Sequence, residues 1–258
     1  MLYICIPAHN EGQTIGLLLW RIRKVFHGYS REYEILVYDD ASTDGTAEIL
    51  APYADVAPLT VIRGEKRIGY ARALDALARE ASKRTRYPRR DGMIVMQGDF
   101  TDQPENLPEL VKRFEGGADI VIGERPALAQ PKAVRRLRQL GPWAIRFSVG
   151  VDGFNDVFGS FKLIRISILR ELLKSSPEKP LVTGEGWGAN VSLLLATVPL
   201  ARRVEKLELA PRYDLRVRES RIRPFSDAMA LYHFGRSVKG KRLAIPTQPQ
   251  PVKERATS

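Results

Sequence analysis

The sequence is poor in cysteine and histidine: among 258 residues it has one cysteine and three histidines. One thiol cannot form a disulfide within the chain, and Cys5 lies in an apolar run, so we expect a small buried side chain in a reducing compartment. His27 and His233 have no partner residues at the spacing of a zinc site. The sequence therefore excludes a disulfide-stapled secreted fold and argues against a zinc enzyme.

Long apolar runs are also missing. No segment reaches the roughly 18 to 20 uncharged apolar residues that a membrane-spanning helix needs. The start, MLYICIPAHNE, does not place a basic segment ahead of an apolar one, as a secretion signal does. We therefore expect a cytoplasmic protein that is at most peripheral to a membrane. A content of 44% hydrophobic and 28% charged residues is that of a globular protein with a sizeable core.

Acidic residues are in the minority. The chain holds 41 basic and 30 acidic side chains, for a formal net charge of +11, and residues 199–258 carry 14 basic and 6 acidic ones. A second stretch, residues 125–151, has basic residues and no acid. Such surfaces attract phosphates on nucleotides, anionic lipids or nucleic acid. We expect no nucleic-acid binding, because no recognised nucleic-acid-binding module accompanies the charge.

Apolar runs alternate with amphipathic segments over the first half of the chain. Buried strands are predicted at residues 2–6, 34–38, 59–63, 93–97 and 119–123. Helical spacing of apolar residues predicts helices at 14–26, 46–50, 68–82 and 108–114. This alternation predicts an α/β fold with a Rossmann-like, mostly parallel sheet flanked by helices.

The second half of the chain is less regular. The patterns predict a strand at 158–163 and an edge strand at 204–209, and helices at 131–149, 166–173 and 187–196. We expect residues 1–223 to form one domain. Residues 224–258 are predicted to form a basic C-terminal helix and a tail that lacks fixed structure from Lys239 onward.

Several predicted strands end in acidic residues. In a parallel sheet, ligands bind beyond the carboxyl ends of the strands. The acidic residues that follow the first, second and fourth strands are Glu11, Asp39, Asp40, Asp44, Asp99 and Asp102. Helix capping explains any one of them, but their convergence on one edge is unfavourable without a cation, a base or a ribose to offset it. The pattern favours a ligand site at this edge.

Five motifs carry a family resemblance: IPAHNE, DDASTDGT, the acidic turn after MIVM, DIVIGERP and DVFGSFKLIR. In this order and spacing, over residues 1–223, the chain resembles family-2 glycosyltransferases with the GT-A fold. Among these it is most similar to the branch of dolichol-phosphate mannosyltransferases and polyprenyl-phosphate glycosyltransferases. The resemblance implies an inverting hexosyltransferase with a nucleotide-diphospho-sugar donor and a polyprenyl-phosphate acceptor.

The resemblance also implies which residues bind the donor. Pro7, His9 and Glu11 would line the nucleotide pocket, and Asp39 or Asp40 would accept hydrogen bonds from the base. Neighbouring residues of a strand point to opposite faces, so the sequence leaves open which aspartate faces the ligand.

A departure from the family occurs at residues 97–99. The family has a D-x-D motif here that binds a divalent metal ion, whereas this chain has Gln97, Gly98 and Asp99. The Asp99 carboxylate and the Gln97 amide oxygen are ligands that Mg²⁺ or Mn²⁺ accepts, so we expect weaker metal binding. Thr101 and Asp102 are alternatives for a further oxygen or for capping. The departure also leaves open a nucleotide-sugar-binding protein without catalysis.

Several arginines complete the resemblance. Arg125 matches an arginine that the family uses near the sugar phosphate, and Arg216, Ser220 and Arg221 resemble a later R-x-x-x-S-K element. Guanidinium groups hold phosphates as charge builds up on the leaving group. We expect Asp99 and Arg125 to be catalytic and Arg216 and Arg221 to bind the donor, with a purely surface role as the alternative for each arginine.

The acceptor decides whether a general base is needed. A lipid phosphate is already anionic, whereas a sugar hydroxyl must lose a proton, for which Glu185 is the candidate. The basic and aromatic stretch 132–147 favours an anionic membrane surface, although packing of an ordinary helix produces the same pattern. A family-2 enzyme that acts on a glycan or small-molecule hydroxyl is the alternative.

Overall fold

The structure, a computed structural model, describes residues 1–125, 150–209 and 224–245. Its first half repeats strand and helix. The strands are β1 (Leu2–Ala8), β2 (Tyr33–Asp39), β3 (Leu59–Arg63), β4 (Gly92–Val95) and β5 (Ile120–Glu124). The helices are α1 (Ile15–His27), α2 (Thr46–Val56), α3 (Tyr70–Arg84) and α4 (Leu107–Glu115), the last preceded by a 3₁₀ turn at Pro104–Asn106.

The second half has shorter strands. They are β6 (Gly150–Asp152), β7 (Lys162–Arg165), β8 (Val204–Glu208) and β9 (Arg242–Ala244). The helices are α5 (Ile166–Ser175), α6 (Trp187–Thr197) and α7 (Pro224–Ser237), with a 3₁₀ turn at Val198–Leu200.

A seven-stranded sheet has the order β3-β2-β1-β4-β7-β5-β8. Its neighbouring strands are parallel except for β7, which runs antiparallel to both β4 and β5. The helices cover both faces, so the central strands are apolar throughout and do not alternate with polar residues. The predicted α/β fold with a mostly parallel sheet is confirmed.

Each face of the sheet has its own apolar cluster. Along β1, Tyr3 and Cys5 pack into the cluster that contains α3 and α6, whereas Ile4 and Ile6 pack into the cluster that contains α1 and α4. All these strand residues are at most 3% exposed. Cys5 is a buried free thiol, as its apolar surroundings in the sequence predict.

Two segments in the second half of the chain differ from the predicted elements. Residues 158–161, predicted as the start of a strand, form a loop, and β7 begins only at Lys162. Residues 242–244 form β9, which pairs in parallel with β6, so the prediction that the chain lacks fixed structure from Lys239 onward is wrong for these residues. Three-residue strands are too short to show a hydrophobic period. The tail from residue 246 and the predicted helix 131–149 lie outside the described residues.

None of the helices in the described part of the chain combines the length and the apolar character that crossing a bilayer requires.

Candidate functional site

The loops that follow β1, β2, β4 and β5 meet at one edge of the sheet, because these four strands point the same way. The N–H of Asp40 donates to the carbonyl of Ala8 at 2.8 Å, and the N–H of Met96 donates to the carbonyl of Cys5 at 3.1 Å. These bonds extend the sheet past the last residues of β2 and β4. The predicted strand-end residues are thereby brought together.

The loop after β1 is tied to the loop after β2 by side-chain hydrogen bonds. His9 Nδ1 lies 2.7 Å from the carbonyl oxygen of Asp40, and a carbonyl only accepts, so Nδ1 carries the proton. The N–H groups of Asn10 and Glu11 donate to the hydroxyls of Ser42 and Thr46, each at 2.9 Å. The IPAHNE and DDASTDGT motifs therefore form one hydrogen-bonded unit.

The two aspartates at the end of β2 have different surroundings. Both oxygens of Asp40 accept from the backbone, from Ile68 N–H at 2.6 Å and from Gly69 N–H at 2.9 Å, and so hold the loop ahead of α3. Asp39 is fully buried and its Oδ1 accepts from Ser42 N–H at 3.0 Å. Its Oδ2 is buried and has no hydrogen-bond partner among the described residues, with the Arg63 Nε at 3.7 Å.

The side chain of Arg63 is 60% exposed, so it can move aside without breaking the core. A buried carboxylate oxygen that lacks a hydrogen bond carries a free-energy cost, which a donor group from a ligand would remove. Of the two aspartates whose roles the sequence left open, Asp39 has the acceptor atom available and Asp40 has a structural role.

The loop after β4 packs directly against the loop after β1. The Thr14 hydroxyl donates to the carbonyl of Gly98 at 2.7 Å. A Cβ atom at Gly98 would lie 3.1 Å from Cγ of Glu11, so a larger residue there would require the Glu11 side chain to shift by a few tenths of an ångström. Glu11, which is 8% exposed, and Gly98 are thus neighbours across the edge of the sheet.

Asp99 and Gln97 offer oxygen atoms from this loop. Asp99 Oδ1 accepts from the N–H of Thr101 at 3.0 Å and from its hydroxyl, which fixes the carboxylate of Asp99. The described residues contain no group of three or more His, Cys, Asp or Glu side chains placed to hold a metal ion. One carboxylate and one amide oxygen are hard ligands, and they fit a Mg²⁺ or Mn²⁺ ion whose other ligands come from a diphosphate and water.

A buried ion pair lies behind this loop. Asp102 is fully buried; one oxygen accepts from the Arg125 guanidinium, and the other accepts from Gln97 N–H at 2.8 Å and from Ser160 Oγ at 2.7 Å. Arg125 Nη2 also donates to the carbonyl of Thr101 at 3.2 Å. Burial raises the pKa of Asp102, while the charge of Arg125 and the two other donors act in the opposite direction and favour the carboxylate.

Three residues other than glycine have positive φ angles in the described chain, and all three lie in these loops. They are Asn10 (φ 54°) after β1, Ala41 (φ 52°) after β2 and Phe100 (φ 63°) after β4. A left-handed conformation costs about 1–2 kcal/mol for a residue with a side chain. Such strain persists where surrounding contacts hold it, and it is often found at functional sites.

A buried lysine lies below the edge, at the start of β7. Lys162 is fully buried, and in the sheet it stands opposite Val95 of β4 and Ile122 of β5. Its ammonium group donates to the carbonyl of Asn190 at 3.2 Å. Burial lowers its pKa from 10.5 to about 7, against the opposing effect of nearby Asp156 and Asp102. Lys162 is not among the site residues predicted from the sequence, although a lysine inside the apolar run FKLI was a signal.

The loop ahead of β7 reaches the same edge, because β7 runs antiparallel to its neighbours. Glu124, at the end of β5, accepts from the N–H of Asn155 at 2.8 Å and from its side-chain amide at 3.1 Å. Asp156 accepts from the N–H groups of Phe158 and Gly159. No role was predicted for Glu124, Asn155 or Ser160, since isolated polar residues carry no periodic signal.

The remaining predicted residues divide into two groups. Pro7 lies within β1, buried beside Tyr38 of β2, and Glu185 is exposed two residues ahead of α6. Arg216, Ser220, Arg221 and the stretch 132–147 lie outside the described residues.

The other predicted site residues lie close together at the edge of the sheet. They are His9, Glu11, Asp39, Asp40, Gln97, Gly98, Asp99, Thr101 and Arg125.

Comparison with known proteins gives a family match over most of the sheet. The family model described as glycosyl transferase family 2 matches residues 3–173. The dolichol-phosphate mannosyltransferase of Pyrococcus furiosus is 34% identical over 122 residues, which are 47% of this chain and 32% of that protein. The undecaprenyl-phosphate mannosyltransferase of Micrococcus luteus is 26% identical over 79% of this chain and 80% of its own length.

The chain spans less than half the length of some curated relatives, including the Pyrococcus protein and the dodecaprenyl-phosphate galacturonate synthase of Rhizobium johnstonii, of which it covers 49%. Among solved structures, the glucosyl-3-phosphoglycerate synthase of Mycobacterium tuberculosis in complex with UDP has a TM-score of 0.64 at 19% identity. That match covers 96% of this chain and 81% of the synthase, and it shows the same fold.

Proposed function

Because the chain belongs to glycosyl transferase family 2, we propose that it transfers a sugar from a nucleotide-diphosphate donor to a polyprenyl phosphate at the surface of a membrane. The observation that carries the proposal is that the loops after β1, β2, β4 and β5 meet at one edge. Hydrogen bonds hold side chains of these loops in place there. The curated relatives named above support the class of acceptor.

In this proposal the base of the donor binds at the end of β2. Asp39 Oδ2 accepts an N–H of the base, a bond that removes the unsatisfied oxygen described above. His9, Glu11 and Pro7 form the adjoining wall, and Asp40 keeps the loop ahead of α3 closed against it. Guanine and uracil both present such an N–H, so GDP and UDP donors share this contact.

The diphosphate lies beside the loop after β4. Asp99 and Gln97 would hold a divalent ion there, which when bound offsets the charge of the diphosphate as the sugar leaves. Arg125 adds a fixed positive charge beside the same loop. Arg216 and Arg221 are proposed to contribute from outside the described residues.

The sugar is transferred by direct displacement at its anomeric carbon. A phosphate oxygen of the lipid attacks from the face opposite the diphosphate, the bond to the diphosphate breaks, and the configuration inverts. The attacking oxygen is already anionic, so the protein has only to align it and no general base is needed. Glu185, the candidate base for a hydroxyl acceptor, is exposed and has no part in this mechanism.

We place the reaction at the cytoplasmic face of a membrane, where a peripheral protein can meet both a nucleotide sugar and a lipid phosphate. The basic side chains of the stretch 132–147 and of the C-terminal residues would supply the positive charge that attracts the anionic surface.

The test is to incubate the protein and Mn²⁺ with radiolabelled GDP- and UDP-sugars and a short polyprenyl phosphate, and to measure the label that partitions into organic solvent. Label in the organic phase is expected with one donor. Transfer only to sugar alcohols or glycans would overturn the lipid acceptor. Donor binding without release of a nucleoside diphosphate, with any acceptor, would show a binding protein without catalysis.

A second measurement addresses the metal site. The Q97D variant restores a carboxylate at the position of the first aspartate of the family motif, so it should bind Mn²⁺ more tightly in the presence of GDP or UDP. The D99N variant should lose metal-dependent nucleotide binding. An unchanged Mn²⁺ titration in both variants would remove residues 97–99 from the metal site.

A further inference from the structure

Asp102 joins three segments that are distant in the sequence. Its carboxylate is completely buried and accepts from Gln97 in the loop after β4, from Arg125 after β5 and from Ser160 in the loop ahead of β7. All three donors come from the edge of the sheet that carries the proposed donor site. A carboxylate without exposed surface does not contact a ligand, so we expect these partners to transmit the effect of Asp102 on binding.

The bonds of Asp102 close its own loop. The Gln97 N–H donates to a side chain five residues later, and Phe100, between the two, has a φ of 63° and is 2% exposed. The left-handed conformation of Phe100 is unfavourable by about 1–2 kcal/mol, so the loop needs contacts that hold it. Arg125 adds one by donating to the carbonyl of Thr101, whose N–H and hydroxyl in turn fix Asp99.

We infer that Asp102 is a positioning residue: through Gln97 N–H, Ser160 and Arg125 it holds the loop of Gln97 and Asp99 in the conformation that binds the metal-bound diphosphate. The inference rests on the proposed function and adds a residue to its site. It also gives Arg125 a second role, because its guanidinium fixes the loop from behind.

The chain offers a matched control at the opposite end of the same strand. Asp91 immediately precedes β4, is 2% exposed, and accepts from the Thr85 hydroxyl, from Tyr87 N–H and from the N-terminal ammonium group. D91N and D102N therefore make the same change in two buried, hydrogen-bonded carboxylates, one before β4 and one after it. Only Asp102 is linked to the proposed site.

The experiment compares wild type, D102N, S160A and D91N under conditions in which each is folded. Free Mn²⁺ is measured by electron paramagnetic resonance in the presence of GDP or UDP, and hydrogen exchange is measured for amides 97–101 without ligand. D102N should weaken Mn²⁺ binding by about 10-fold or more, the usual effect of removing a group that orients a metal ligand. S160A should weaken it by a smaller factor, and D91N by less than about twofold. Exchange at residues 97–101 should rise in D102N and not in D91N.

Two results would overturn the inference: equal weakening in D102N and D91N, or unchanged exchange at residues 97–101 in D102N. If D102N does not fold, S160A decides, since it leaves Asp102 and Arg125 in place. Failure of the wild type to bind Mn²⁺ with either nucleotide would overturn the proposed function, and the inference with it. That result is distinguishable from failure of the inference alone, in which the wild type binds.

Discussion

Among single residues, Asp39 and Asp40 show how two identical neighbours take different roles. Asp40 uses both carboxylate oxygens to bind backbone N–H groups, whereas in the described part of the chain Asp39 has one buried oxygen without a hydrogen bond. Strand alternation predicts that the two differ but does not say which one serves the ligand. Only the hydrogen bonds of the loop ahead of α3 distinguish them.

Replacing Asp39 should affect nucleotide binding more than folding. D39N removes a charged acceptor, so the affinity for GDP or UDP, measured by calorimetry, should fall by about 10-fold, with little change in the urea midpoint. D40N should do the reverse, because its carboxylate holds the loop ahead of α3. Equal nucleotide affinity in wild type and D39N would contradict the assignment of the base to Asp39.

Lys162 should make the stability of the protein depend on pH. Its pKa is about 7 in the fold and near 10.5 in the unfolded chain, so between these values the unfolded state binds one more proton. The free energy of unfolding should therefore rise with pH from about 7 toward 10, by at most ~1.4 kcal/mol per pH unit. Urea denaturation of K162M between pH 7 and 9.5 should show a smaller slope.

The control for Lys162 is Lys206, whose ammonium group donates to the carbonyl of Gly153 at 2.8 Å from a more exposed position. K206M should leave the slope unchanged. If the free energy of unfolding changes with pH equally in wild type and K162M, Lys162 keeps its proton in the folded protein. Burial then does not lower its pKa.

Among the elements of the fold, the loops at the carboxyl edge carry strain that the helices and strands do not. Ala41 has a φ of 52° directly after the aspartates of β2, where glycine would be unstrained. A41G should therefore raise the free energy of unfolding by up to ~1 kcal/mol. A76G, the same change inside α3, should lower it by about 1 kcal/mol. Urea denaturation of the two variants checks both signs, and destabilisation by A41G would show that the loop is not strained there.

The elements that the sequence predicts are those with a recognisable hydrophobic pattern, either a continuous apolar run or helical spacing. The runs of β1 to β5 and the apolar spacing of α1, α3 and α4 are visible because helices bury both faces of the sheet. The strands β6 and β9 have three residues each and, within the described ranges, pair with each other alone, so no local pattern marks them. The sequence likewise predicts Asp99 as a site residue but gives Asp102 no definite role, because its importance comes from Ser160 and Arg125, which are distant in the chain.

At the scale of the whole molecule, the C-terminal segment contributes to the core. Leu243 of β9 is fully buried in the cluster that contains α3 and α6. L243A should lower the free energy of unfolding by about 2–5 kcal/mol, within a single cooperative urea transition. M229A, on the exposed side of α7, should change it by less than about 0.5 kcal/mol. A similar small change in L243A would show that β9 is peripheral to the core.

The reversed direction of β7 has a consequence for how this protein can diversify. The loops after β1, β2 and β4 follow their strands at this edge. Residues 153–161 instead precede a strand there, because β7 begins at the edge with Lys162. Insertions or deletions in that incoming segment leave the pairing of the three parallel strands untouched. In the proposed function, a change of length ahead of Ser160 should therefore leave the bond from Ser160 to Asp102 in place, and with it the loop after β4.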